Sequence, residues 1–181
     1  VVDTSGRPVA GIEVVAAAPP ISFVLHGALI PALQRGLATT RSGPDGAFTL
    51  ATTRDHGVLA MAPGQRSRPA PAGDRPLTLR IEPNAQATVQ VRVAPTADRG
   101  RTEPDPLLAA GRRVHLMNVY LMFEGFLASA TGYQQGTQWS FSGLPAGPAR
   151  AWTFSTSPLG DHRIDSVDVL LRPGQATSDG L

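Results

Sequence analysis

A pattern of short apolar strands separated by turns occurs twice in this chain, and this repeat constrains the fold more than any other feature. The matching segments are 10–18 with 110–118, the segment around Phe48 with 139–147, and 77–84 with 167–174. The offset is 100 residues from Gly11 to Gly111, 93 from Phe48 to Phe141 and 90 from Ile81 to Leu171, a drift that loop insertions produce. Two tandem copies of one module explain this better than one large domain. The sequence therefore predicts a first module over 1–83 and a second over 84–181.

The local patterns predict strands in both copies. Ile12, Val14 and Ala16 alternate on one face of the first copy, and Val89, Val91 and Val93 do so in the second. Further strands are expected after the turn at Asp45-Gly46 and over 77–81, with a Pro-rich loop over 66–76. The 19 glycines and 17 prolines are scattered through the 181 residues, as many short strands joined by turns require. The predicted fold class is all-β.

The turns carry a family resemblance. D-x-S-G-x-P-V-A-G at 3–11 and T-T-x-x-G-P-D-G-A-F-T-L at 39–50 resemble the carboxypeptidase regulatory-like domain, which is similar to transthyretin-like sandwiches and to B-type repeats of collagen adhesins. The second copy matches through Gly111, Phe141 and Leu144–Gly147, with 135–137 in place of the D-G turn. The resemblance implies a Greek-key, prealbumin-like β-sandwich for each module. It also implies roles in adhesion, spacing or packing against a neighbouring domain.

The residues of a chemical site are scarce. The chain has no Cys and no Lys, so a disulfide, a thiolate nucleophile and the Lys isopeptide bond of adhesin repeats are excluded. Its 16 basic residues are all Arg and are spread out, against the clustered basic stripe that nucleic-acid binding requires. The four histidines are far apart, and zinc ligands commonly come in close pairs. No catalytic residue, cofactor or metal is predicted. Calcium binding by Asp45, or by Asp161 together with Asp165, stays open as an alternative.

Two apolar insertions, 19–37 and 119–136, occupy the same place in the two copies. The first has helical spacing around Leu29, Leu33 and Leu37, and the second is either a short helix or an extended hairpin around Phe123 and Phe126. One interpretation is that each insertion covers an edge of its own sandwich. The other is that the two insertions pack on each other or on a partner protein.

An aromatic surface is a second candidate for binding. The register of the resembled family places Ala149 and Ala151 inward and leaves Arg150, Trp152 and Phe154 on the outer face, where they could stack on sugar or peptide. A bulge near Pro148 would reverse this parity and bury Trp152. Trp139 shares its parity with Phe141 and is expected in the core.

We therefore expect a non-catalytic accessory, spacer or protein-interaction module of a larger secreted or envelope protein, located outside the cytoplasm. Its partners would be neighbouring domains or another protein. The alternative is a carbohydrate-binding module that uses Trp152, and an enzyme ranks third. The chain opens on the apolar pair Val1-Val2 without a signal peptide, which suggests a piece of a longer protein. The longest apolar run, 21–33, contains His26 and Pro31 and is too short to span a bilayer.

Overall fold

The computed structural model describes residues 1–24, 28–29, 34–73, 75–90, 116–123, 128–131, 133–135, 138–157 and 160–180. Within these residues the ordered elements are strands, which confirms the predicted all-β class. The strands are β1 (Glu13–Ala17), β2 (Ile21–Val24), β3 (Ala28–Leu29), β4 (Ala38–Arg41), β5 (Gly57–Ala62), β6 (Gln65–Ser67), β7 (Ala70–Pro71), β8 (Ile81–Pro83), β9 (Ala85–Gln90), β10 (Leu116–Phe123), β11 (Ala128–Thr131), β12 (Tyr133–Gln135), β13 (Gln138–Leu144), β14 (Gly147–Ser157), β15 (Gly160–Leu171) and β16 (Ala176–Gly180).

The first sheet has the order β4-β1-β5-β6-β8, and β7 pairs with β5. Its central strands β1 and β5 are antiparallel, with Val14 opposite Ala60 and Ala16 opposite Val58. After the exposed Glu13, the rest of β1 is an apolar run of buried residues, and β5 is an apolar run whose first four residues are buried. Because successive side chains of a strand point to opposite faces, this sheet is covered on both sides.

The other two sheets are built mainly from the second half of the chain. One has the order β15-β14-β10-β11-β2-β3, and the other has the order β12-β13-β9-β16. The run β11-β10-β14-β15 repeats the run β4-β1-β5-β6 of the first sheet, with the strands in the same chain order. β9 lies between β13, to which it is antiparallel, and β16, to which it is parallel.

Two apolar clusters form the core. The smaller cluster lies on one face of the first sheet and contains Val1, Val14, Ala16, Val58, Ala60, Leu79 and Ile81. The larger cluster joins Ala17, Ile21 and Leu59 from the first half to residues of both second-half sheets, among them Leu121, Trp139, Phe141, Ala151 and Leu171. Trp139 and Phe141 are each 3% exposed, which confirms their predicted core position. The first sheet therefore contributes one face to each cluster.

The predicted boundary lies where β8 ends at Pro83 and β9 begins at Ala85. The Pro83 carbonyl accepts a hydrogen bond from the Gly174 amide, and the Asn84 amide donates to the Gly64 carbonyl. The division into units 1–83 and 84–181 stays a prediction. Strands β2 and β3 do not follow that division. They come from the first half of the chain but pair within a sheet of second-half strands.

The turn residues act as the sequence predicts. Gly46 has φ of +73°, and the Asp45 carboxylate accepts a hydrogen bond from the Ala47 backbone N–H, with an N to Oδ1 distance of 2.9 Å. Asp45 is therefore a turn-forming residue. A Cβ at Gly46 would lie 2.5 Å from the Val1 carbonyl oxygen, a contact that only glycine avoids. The Asp3 carboxylate likewise accepts the amides of Ser5 and Arg7.

Two local predictions need correction. The segment 66–76, expected as a loop, contains β7 and most of β6, because both strands pair antiparallel with β5. Phe48–Leu50 and Leu77–Leu79, expected as strands, alternate between more and less buried positions but pair with none of the strands that the structure describes; the Leu79 carbonyl accepts a hydrogen bond from the Val2 amide. Alternating burial sets the side-chain direction, whereas a strand also requires a neighbour for its backbone.

Candidate interaction surfaces

The two apolar insertions meet in one sheet. β2 of the first insertion pairs in parallel with β11 of the second, with Ile21 opposite Ala128, Ser22 opposite Ser129 and Phe23 opposite Ala130. Ile21 is fully buried in the larger cluster, and the Ser22 and Ser129 hydroxyls lie 3.5 Å apart. Of the two interpretations of the insertions, mutual packing is therefore the one found. Helical spacing around Leu29 misled here, because Ala28–Leu29 pairs with β2 as a strand.

A glutamine side chain continues the edge of this sheet. The Gln34 amide oxygen accepts the Ser22 backbone N–H at 3.1 Å, and the Gln34 side-chain N–H donates to the Ser22 carbonyl at 3.0 Å. A neighbouring strand would make the same pair of bonds. Gln34 thus satisfies the backbone of β2 beyond the point where β3 pairs with it.

The predicted aromatic surface lies on β14. Ala149 and Ala151 are 7% and 0% exposed and face the core, whereas Arg150 is exposed, which confirms the predicted parity at these positions. The ladder irregularity falls between Thr153 and Phe154, beyond the position near Pro148 where it would have reversed the parity. Trp152 is half-buried with its indole nitrogen enclosed. The side chain of Phe154 lies outside the described part of the structure.

An ion pair stands beside Trp152. Arg150 lies opposite Asp168 on β15, and its guanidinium donates to both carboxylate oxygens, at 2.6 and 3.1 Å. This bidentate contact lowers the pKa of Asp168 and raises that of Arg150. Leu170, 56% exposed, lies two residues further along β15 on the same face. The outer face of β14 and β15 therefore presents a fixed charge pair between an apolar and an aromatic side chain.

The remaining candidate residues from the sequence occupy different environments. Leu29 is half-buried and packs against the larger cluster. Phe123 is 3% exposed within that cluster, so it has no face available to a ligand. Leu33 and Phe126 lie outside the described residues. The insertion residues named as a binding surface stay a prediction, and the described ones contribute to internal packing.

A groove on the first half was not predicted. It has a volume of about 500 Å³ and is lined by Val1 and Val2, by residues within 45–52 and by residues within 72–78. Phe48, Leu50 and Leu77 are half-buried against the smaller cluster and form its apolar lining. The alternation of Phe48 with Leu50 and of Leu77 with Leu79 was visible in the sequence. The sequence did not reveal that, among the described residues, these two segments do not pair with a strand between them.

Polar groups elsewhere are fixed by local hydrogen bonds. The Ser5 hydroxyl and the Arg7 amide lower the pKa of Asp3 to about 2, and the Thr53 hydroxyl lowers that of Asp55. Burial lowers the pKa of Arg66, which is 8% exposed in β6, to about 10. His56 contacts the Thr52 hydroxyl through Nδ1 at 2.8 Å. Within the described residues no three potential metal ligands cluster, and no helix is long and apolar enough to cross a membrane.

Comparison with known proteins gives little. No protein-family model matches the chain, and no curated protein matches it. Among solved structures, the chain is similar to the minor pilin GBS52 of Streptococcus agalactiae, with a TM-score of 0.37 and 8% sequence identity over 97% of this chain and 83% of the pilin chain. Neither figure reaches the level at which a shared fold or role follows.

Proposed function

We propose that this chain is a non-catalytic spacer and protein-interaction module of a larger extracytoplasmic protein, built from two copies of one sandwich unit that are locked together. One observation carries the proposal: β2 of the first half pairs with β11 of the second half and places Ile21 in the larger cluster. Such a seam joins two units through backbone hydrogen bonds and a shared core. A spacer needs this rigidity, because flexibly linked domains move relative to each other by default.

The shared architecture of the two units supports the carboxypeptidase regulatory-like assignment. The strand order β4-β1-β5-β6 recurs as β11-β10-β14-β15. Near the two ends of the first half, Val2 and Arg80 form a single parallel bridge, and in the second half the strand β9 pairs in parallel with the last strand, β16. The D-G turn places Phe48 against the smaller cluster, and Phe141 lies in the larger one.

Distance measurements between two spin labels, by double electron–electron resonance, test whether the two halves are held rigidly together. The chain has no native Cys, so spin labels can be attached at Arg41→Cys in β4 and Ser140→Cys in β13, both exposed. We expect one narrow distance distribution, as narrow as that of the within-sheet control pair Arg41→Cys and Gln65→Cys. A broad or double distribution for the first pair alone would show two hinged units and overturn the proposal.

The carbohydrate-binding alternative depends on Trp152. The described structure has this side chain half-buried, beside the Arg150–Asp168 pair. Sugar stacking requires an accessible aromatic face. A titration of the chain with a glycan panel, followed by tryptophan fluorescence and repeated with Trp152→Ala, tests this alternative. A saturable change that Trp152→Ala abolishes would favour carbohydrate binding.

A further inference from the structure

The sheet β12-β13-β9-β16 has one face in the larger cluster and the other toward solvent. On β9 and β13 every second side chain is buried in that cluster, and the side chains between them point the other way. The register adds positions of β12 and β16 to this second face. We call it the polar face, and its described amide and hydroxyl side chains are those of Gln86, Thr88, Gln135, Gln138, Ser140 and Ser178.

The polar face carries no charge at the positions that the structure describes. Gln90 and Tyr133 pair with positions of this face, and both residue types are uncharged at neutral pH. The outer face of β14 and β15 differs, because it presents the Arg150–Asp168 ion pair. Nucleic acids and acidic polymers are bound mainly through cationic side chains, so the polar face does not suit them.

The side chains of the polar face keep their hydrogen-bonding groups for a ligand. Within the described part of the chain, none of the six side chains hydrogen-bonds another protein group. Amides and hydroxyls both donate and accept, whereas a guanidinium only donates and a carboxylate only accepts. A sugar hydroxyl also does both, so it can pair with each of these side chains in either direction.

The spacing of the strands arranges these side chains in rows. Ser140, Thr88 and Ser178 form one row of hydroxyls across β13, β9 and β16, with about 4.8 Å between neighbouring strands. Gln138 and Gln86 lie two residues from this row, on opposite sides of it. Because the other face of the sheet is buried, the strands hold the rows in place before a ligand arrives, which lowers the entropic cost of binding.

The side-chain types also argue against a protein as the partner. Protein interfaces are anchored by aromatic side chains, Met and Arg. The described side chains of the polar face include none of these, and Ala176, opposite Gln86, adds only a methyl group.

We propose that the polar face binds an uncharged polysaccharide chain. The polysaccharide lies along the row Ser140–Thr88–Ser178 and hydrogen-bonds the two flanking amides, Gln86 and Gln138. This site goes beyond the proposed spacer role and does not depend on it. It also lies on a different sheet from Trp152.

Nuclear magnetic resonance titrations of the full chain test the site. The probes are three uncharged hexasaccharides, cellohexaose, maltohexaose and laminarihexaose, and the charged control is a hexamer of galacturonic acid. We expect at least one uncharged probe to shift the amide signals of β9 and β13 saturably, with a Kd below about 1 mM. The acidic control should leave those signals unchanged.

Three results of the titrations would overturn the proposal. One is the absence of a saturable shift in β9 and β13 with all three uncharged probes. Another is an equal shift with the acidic control. The last is a shift confined to β14 and β15, which would support the Trp152 alternative instead. The spin-label distance between the halves is a separate measurement, so none of these results decides the spacer role.

Variants at exposed positions identify the side chains that bind. Gln86→Leu combined with Gln138→Leu keeps side chains of similar bulk but removes both amides, and we expect the Kd to rise at least about tenfold. Ser140→Ala should raise it about threefold. Gln65→Leu makes the same change at an exposed position of β6 in the first half and should leave the Kd unchanged.

Amide hydrogen exchange in β9 and β13 of the unliganded variants checks that the sheet is intact. All four substituted side chains are exposed, so exchange should match the wild type. An unchanged Kd for the double glutamine variant, or an equal rise for Gln65→Leu, would overturn the proposed site.

Discussion

The side chain of Gln34 hydrogen-bonds both backbone groups of Ser22. It does so on the side of β2 that faces away from β11, where β3 is too short to reach. A residue twelve positions along the chain thereby acts as one more strand position. This contact holds the first insertion in the conformation that its pairing with the second half requires.

Replacement of Gln34 by Ala removes both bonds. We expect the free energy of unfolding to fall by about 1–2 kcal/mol, because each net hydrogen bond contributes about 0.5–1.5 kcal/mol. The Ser22 amide should also exchange faster with solvent. Urea denaturation and amide exchange measure the two effects. Gln175→Ala, at an exposed turn position, is the matched control and should change neither.

Replacement of Ile21 by Ala tests whether the first insertion belongs to the larger core cluster. Ile21 is fully buried beside residues of the second half, so we expect a loss of about 2–5 kcal/mol in unfolding free energy. Tryptophan fluorescence reports it, because both Trp residues lie in the second half. Ile12→Ala makes the same chemical change at a half-buried position of the smaller cluster and should cost less. An unchanged fluorescence midpoint for Ile21→Ala would contradict the shared core.

Gly46 and Gly6 offer a matched pair for the turn beside Val1. Both have positive φ, so Ala at either position costs about 1–2 kcal/mol in backbone conformation. A Cβ at Gly6 meets nothing within 4 Å, whereas one at Gly46 meets the Val1 carbonyl at 2.5 Å. Thermal unfolding should therefore show a larger loss for Gly46→Ala than for Gly6→Ala. Equal losses would mean that Val1 does not lie against this turn.

The Asp3 turn predicts an acid dependence. The folded pKa of Asp3, about 2, is below its ordinary value of 3.8, so its contribution to stability is present above about pH 4 and is lost as the pH falls toward 2. Asp3→Asn removes the titrating group and keeps the side-chain shape. The difference in unfolding free energy between the wild type and this variant should shrink across that window. A constant difference from pH 6 to pH 2 would show that the carboxylate is not held by Ser5 and Arg7.

Much of the architecture could be predicted because alternation and turn chemistry are local. Val14 and Ala16 face one cluster as predicted, and Asp45-Gly46 forms its turn. The burial of Trp139 with Phe141 also followed from parity. These features depend on neighbours in sequence, which a single chain displays directly.

The seam and the groove could not be predicted because each depends on residues far apart. The helical spacing around Leu29 gave no hint that Ile21 pairs with Ala128. The alternation at Phe48 and Leu77 predicted strands, but whether a strand has a neighbour is a property of the whole sheet. The Trp152 surface lay between these cases, since parity placed it outward but packing left it half-buried.

Amide hydrogen exchange across β2 in the full chain tests the lock between the halves most directly. Since the Ser22 groups face Gln34, the Ile21 and Phe23 amides face β11. We predict that these two amides exchange with the same opening free energy as the amides of β11, and far more slowly than an exposed loop. Rapid exchange at Ile21 and Phe23, with β10 and β14 still protected, would show that β2 is not held against the second half.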